Sequence, residues 1–123
     1  MILIALGGGL GALIRYLVDT AVNTAARRRW PKLGLPLGTA LINITGSLLL
    51  GLFAGWLMFR TGDASWKLAI GTGILGGFTT FSTASVEAAR LIIAGRWQAA
   101  IVHALGMMIA ALGAAGLGVW LTS

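Results

Sequence analysis

The chain has 123 residues, of which 58% are hydrophobic and only 10% charged, with 19 glycines and no cysteine; soluble domains carry roughly 25% charged residues. That composition places it in a membrane and excludes a disulfide framework, a thiolate metal site and thiol redox chemistry. The net charge of +6 does not point to nucleic acid, because Arg27, Arg28, Arg29 and Lys32 crowd one short connector between apolar runs, where positive charge sets membrane orientation.

A helix needs about 20 mainly apolar residues to cross the hydrocarbon core, and four segments in chain order meet that length. The first runs from about Ile2 to Ala25. It lacks a basic N-terminal region and a convincing cleavage site, so it reads as a retained span and not as a signal peptide. Its run Gly7-Gly8-Gly9-Leu10-Gly11 brings small residues to a helix face, as do Gly113, Gly116 and Gly118 late in the chain; such residues let helices approach where lipid supplies no hydrophobic drive. Arg15 and Asp19, spaced i, i+4, are placed for a local ion pair.

The second span runs from about Leu37 to Phe59 and holds Thr39, Asn43, Thr45 and Ser47. Asn43 lies deep inside it, and its amide is either an interhelical hydrogen bond or a donor lining an anion path. The third runs from about Trp66 to Ala94 and contains GGFTTFSTAS, Gly76 to Ser85. Two glycines followed by hydroxyl side chains lower helix propensity and compete for backbone groups, so an interruption is expected there. Freed carbonyls at such a break can hold a cation, while hydroxyls and phenyl edges can face an anion. Glu87 and Arg90 follow at i, i+3, again placed to pair. The fourth span, from about Trp97 to Leu121, carries His103 as its one ionisable group. Trp30, Trp66, Trp97 and Trp120 fall near the expected ends, where indoles favour the headgroup zone.

The fold class is therefore all-α, a single transmembrane domain over residues 1–123 with four crossings and an interrupted third helix. Polar groups inside a membrane are costly unless they face protein or a wet cavity, so each is a functional candidate. The three acidic residues, Asp19, Asp63 and Glu87, sit on different elements, and His103 has no second His or Cys to complete a metal site. No enzyme is expected.

GGGLGALIRY (Gly7 to Tyr16), GTALINITGSLLLG (Gly38 to Gly51) and GGFTTFST (Gly76 to Thr83), followed by Glu87, resemble the Fluc/CrcB fluoride channels over the whole chain, with the motifs in the family's order and spacing. The resemblance implies a fluoride-selective channel of the bacterial plasma (inner) membrane that exports fluoride passively. It further implies a dimer of antiparallel subunits with two pores and a structural Na⁺ at its centre. Carried over by motif, the backbone carbonyls of Gly76 and Thr79 are the Na⁺ ligands. Asn43 is a pore-lining donor, Phe81 lines the path with its ring edge, and Thr39, Thr80, Ser82 and Thr83 are hydroxyl contacts. Arg15 draws anions to the vestibule or is structural, as is Glu87. Fluoride is small and strongly hydrated, and neutral donors replace its water without the trap a fixed cation would make.

Two departures stand out. Ala84 occupies the position of the family's second phenylalanine, and the fourth helix has His103 near a usual tyrosine with Met107 and Ala111 where a polar track continues. The connectors also differ in charge: Arg27, Arg28, Arg29, Lys32 and Arg96 on one side against Arg60 and Lys67 on the other, whereas a dual-topology homodimer needs almost no bias. The partner is therefore either a second copy or a related subunit that supplies the missing ring. The alternatives are a non-conducting or accessory subunit of a heterodimeric channel and, less favoured, a small dual-topology drug or cation exporter, for which Asp19 is the one membrane carboxylate in the first span.

Overall fold

The computed structural model describes residues 1–58, 66–67 and 69–122. The expected end of the second span at Phe59 and the connector from Arg60 to Ser65 lie outside the described residues, as does Ser123. Helix α1 covers Ile2–Arg29 and α2 covers Leu37–Met58. A π-helical segment, Ala69–Leu75, runs into the short α3 at Gly76–Phe78. Helix α4 covers Phe81–Ile93 and α5 covers Trp97–Thr122. Helices α1, α2 and α5 are each long and apolar enough to cross a membrane, so the chain is an all-helical, multi-pass membrane protein.

Helix α1 runs past the expected end at Ala25. Its 28 residues span about 42 Å at 1.5 Å per residue, more than the ~30 Å hydrocarbon core. The last turn, with Arg27, Arg28 and Arg29, therefore emerges into the headgroups, where cations also favour a helix C-terminus. Pro31 stops it: the residue before a proline is pushed out of the helical region, and Trp30 adopts φ −134° and ψ 67°.

Two tight seams hold the bundle. Helix α2 packs along α5, where Gly51 abuts the Ala115 backbone and Gly118 abuts that of Leu48 and Leu52. Helix α1 packs on the π-helical segment and α3, with Gly11 against Ile74 and Phe78 and with Gly8 against Gly77. Of the glycines singled out late in the sequence, Gly113 and Gly116 meet nothing within 4 Å and face outward, while Gly118 is buried. Near the end of α2, Trp66 meets Trp56 at 5.7 Å and Phe53 at 6.3 Å between ring centroids. The core is small, centred on Ile42, Thr39 and Ala100. Large apolar side chains such as Ile93 and Leu112 are exposed, as lipid or a second subunit requires.

The first and third connectors lie at the same end of the molecule. Arg96 donates from Nη1 to the Gly34 carbonyl at 2.8 Å and from Nη2 to the Leu33 carbonyl at 2.9 Å. Replacing Arg96 with Ala should free this connector, and trypsin should cleave after Arg29 or Lys32 about fivefold faster in detergent-solubilised protein. Unchanged cleavage would show that the clasp does not restrain it.

Candidate functional site

The chain between α3 and α4 is extended for two residues. Thr79 has φ −74° and ψ 154°, and Thr80 has φ −150° and ψ 120°. The Thr79 N–H still bonds the Leu75 carbonyl at 3.1 Å, but the Thr80 N–H has no turn above it to join. Asn43 of α2 takes that role. Its Oδ1 accepts from the Thr80 N–H at 2.8 Å, and its Nδ2 donates to the Thr80 carbonyl at 3.0 Å. One amide therefore satisfies both backbone groups of one residue. The second Nδ2 hydrogen points toward the Met107 sulfur at 3.3 Å, a weak acceptor. Thr80 itself caps α4, its hydroxyl accepting from the Thr83 N–H at 3.2 Å, the usual task of a threonine in that position.

A groove of roughly 440 Å³ opens beside this clasp, between α4 and α5. Asn43, Ser47, Thr80, Phe81 and Ser85 line it together with Ala84, Met107 and Ala111. The Phe81 ring is 87% exposed and packs on little of its own chain. Ala84, three residues on and on the same face of α4, is buried at the groove wall. Ser82 is exposed, with its Oγ 3.3 Å from Thr80 Oγ1.

From the clasp a line of polar contacts leads along α2 and α4, because Asn43 and Thr39, like Thr83 and Glu87, are one helical turn apart. Thr83 accepts from Arg15 Nη1 at 3.3 Å and from Thr80 Oγ1 at 3.1 Å. Thr39 is fully buried and donates to Glu87 Oε1 at 2.8 Å, with Asp19 Oδ1 3.4 Å away. Asn23 donates to Asp19 at 2.9 Å and accepts from the Gly38 N–H at 3.0 Å. Glu87 Oε2 then faces His103 Nε2 at 3.9 Å. The line ends at a cavity of about 430 Å³ lined by Asn23, Arg27, Trp30, Glu87 and Arg90.

The arrangement corrects two local expectations. Arg15 does not pair with Asp19, because Thr83 of α4 takes the guanidinium and Asn23 and Thr39 take the carboxylate. Glu87 turns to Thr39 and not to Arg90, since α4 presents it to the neighbouring helices and leaves Arg90 on the cavity wall.

A family model described as CrcB-like protein, Camphor Resistance (CrcB), matches residues 2–119. The chain belongs to the CrcB family. Curated relatives agree with that family model. A protein of Leifsonia xyli named Fluoride-specific ion channel FluC 1 is 45% identical over 96% of this chain and 82% of its own length. One of Cutibacterium acnes named Fluoride-specific ion channel FluC 2 is 44% identical over 100% and 97%. A third, Fluoride-specific ion channel FluC of Methylobacterium nodulans, is 46% identical over 95% and 89%.

In this CrcB chain the sequence-derived site residues fall into three places. Asn43, Thr80 and Phe81 share the groove, with Ser82 and Thr83 on the adjoining turn. Thr39 and Glu87 sit in the polar line with Arg15 on its flank. Gly76 opens the three-residue α3 and Thr79 is its C-cap. The carbonyls of Gly76 and Thr79 accept no hydrogen bond from another described residue, as the last carbonyls of a helix do not. Free backbone oxygens at a helix C-terminus are hard, partly negative donors that suit Na⁺. Among the described residues no cluster of acidic, His or Cys side chains competes for a metal. Asn23, and the joining of His103 to Glu87, are not evident from the sequence reading. The i, i+4 spacing of Asp19 and Asn23 was the available signal for the first.

Proposed function

We propose that this chain is a pore-forming subunit of a fluoride-selective channel that lets the anion leave the cytoplasm passively across the bacterial inner membrane. The observation that carries the reading is the groove itself, which Asn43, Thr80, Ser85 and Phe81 line without a charged residue. Such neutral donors can replace fluoride's water and still release the ion, and the relatives' names give the ion. The Asn43 N–H that meets only the Met107 sulfur is the donor placed to turn to fluoride, since a thioether gives up little when it loses that contact.

The π-helical segment, α3 and α4 form one crossing interrupted at Thr79 and Thr80, and two subunits pair in antiparallel orientation across it. The exposure of Phe81 and of Gly76 supports this, because both need a covering surface. Gly76 and Thr79 of each subunit would hold Na⁺ through their carbonyls; the ion supplies positive charge that ties the interrupted segments together. Ala84, where the family carries a ring, and the charge bias of the connectors favour a second reading of the partner, in which a related subunit contributes the ring this chain lacks.

Purified protein in KF-loaded liposomes should release fluoride and not chloride when a K⁺ ionophore removes the electrical block. Absence of efflux from the chain alone, restored by a co-expressed paralogue, selects the heterodimer; absence in both cases defeats the channel. Phe81→Ile should lower fluoride efflux at least tenfold with assembly unchanged, because the exposed ring contributes little to its own chain's packing. Equal efflux in the variant removes Phe81 from the path.

A further inference from the structure

The polar line ends in a feature that fluoride passage does not by itself require. His103 is buried and its Nε2 faces Glu87 Oε2 at 3.9 Å, and neither atom has a hydrogen-bond partner. That separation exceeds the 2.7–3.2 Å of an N–H···O hydrogen bond, and among the described residues neither atom has a hydrogen-bond partner elsewhere.

The surroundings make a bound proton the fitting occupant. From α1, the Asp19 carboxylate, which accepts from Asn23, also approaches the Thr39 hydroxyl that donates to Glu87, so one hydroxyl stands between two carboxylates. Arg15 of α1 is engaged by Thr83 and does not reach them. Helix α2 contributes Thr39 and no titratable side chain among the described residues. From α4, Arg90 lines the same cavity as Glu87, as does Arg27 of α1. Helix α5 contributes only His103, with Arg96 before its start engaged by the first connector. Two carboxylates on either side of one hydroxyl repel when both are ionised, and the imidazole is the group able to bring a further proton to that place near neutral pH. Glu87 lines the cavity, so the proton has a route to solvent.

We infer that Glu87 and His103 together hold one exchangeable proton at the inner end of the cavity, and that its presence raises the rate at which the anion passes. The second part rests on the fluoride-channel reading; the first does not. With the proton bound, an approaching anion meets one negative charge fewer beside the polar line. Flux therefore rises as pH falls, and the pair titrates as a unit and not as two independent residues.

Two measurements test this on tag-free full-length protein. Fluoride efflux from proteoliposomes, with the leak of protein-free liposomes subtracted, should rise about tenfold from about pH 8 to about pH 5.5. His103→Gln and Glu87→Gln should each flatten the profile. A flat wild-type profile, or a slope that survives both substitutions, overturns control of flux. Separately, the chain has one histidine, so its imidazole resonances are unambiguous, and their titration midpoint should move by at least about half a pH unit in Glu87→Gln. An unmoved midpoint overturns the shared proton. A moved midpoint with no fluoride efflux at any pH, from the chain alone or with a co-expressed paralogue, upholds the proton site and discards the channel reading.

Discussion

Asn43→Ala is expected to reduce fluoride efflux by about a hundredfold or more while leaving the chain inserted in the membrane. The amide holds both the N–H and the carbonyl of Thr80. Its removal strands two backbone groups where no other described residue replaces it, at about 1–3 kcal/mol each and more where lipid excludes water. The turn between α3 and α4 then loses its geometry, and with it the placement of Phe81 and the cap on α4. The α2–α5 and α1–α3 seams are untouched, so insertion survives. Asn43→Asp sharpens the test. It keeps an acceptor for the Thr80 N–H but loses the donor to the carbonyl, and it adds a negative charge facing the groove. Efflux should therefore remain as low as in Asn43→Ala. Near-normal efflux in either variant would mean that the clasp neither shapes nor lines the path.

Gly77→Ala is the second large effect. A methyl group there would run into the Gly8 carbonyl oxygen and come within 2.9 Å of its Cα. Both partners are backbone, so no side chain can swing aside and α1 must move. Overpacking of this kind costs about 1–3 kcal/mol in adaptable cores, and a close helix–helix contact sits at the upper end. A fall in melting temperature and partial loss of assembled protein on size exclusion are expected. Gly113→Ala is the matched control, because its added methyl meets nothing within 4 Å in the chain. If both variants melt alike, the α1–α3 seam is not what fixes the bundle.

Much of this architecture was legible in the residues. Runs of apolar residues marked α1, α2 and α5 because crossing a bilayer imposes a length, and tryptophans marked their ends. Helix α1 exceeded its expected boundary because an apolar count stops at the hydrocarbon edge, whereas a helix continues until a breaker such as Pro31. The candidate site was legible as a set of residues and not as a set of contacts. Asn43 was visible as a polar group in the wrong solvent; that it would clasp Thr80 depends on α2 lying beside α4, which no local pattern encodes. The ion pairs suggested by i, i+4 and i, i+3 spacing failed for the same reason: Thr83, Thr39 and Asn23, brought in by other elements, offered those side chains better partners. His103 seemed isolated in the sequence because its partner is 16 positions away on another helix.

The clasp of Arg96 on the first connector has a consequence for how the two halves of the chain are held. Gly34 holds φ at +57°, a conformation that glycine adopts without strain, and the carbonyls of Leu33 and Gly34 both accept from one guanidinium. Arg96 is also one of the positive charges of the kind that bias membrane orientation. In the folded chain that charge is bonded to the connector after α1, so the early half of the chain is joined to the late half at one end of the molecule. A residue that would read in the sequence only as a topology signal is thereby also a tie between residues 62 and 63 positions apart.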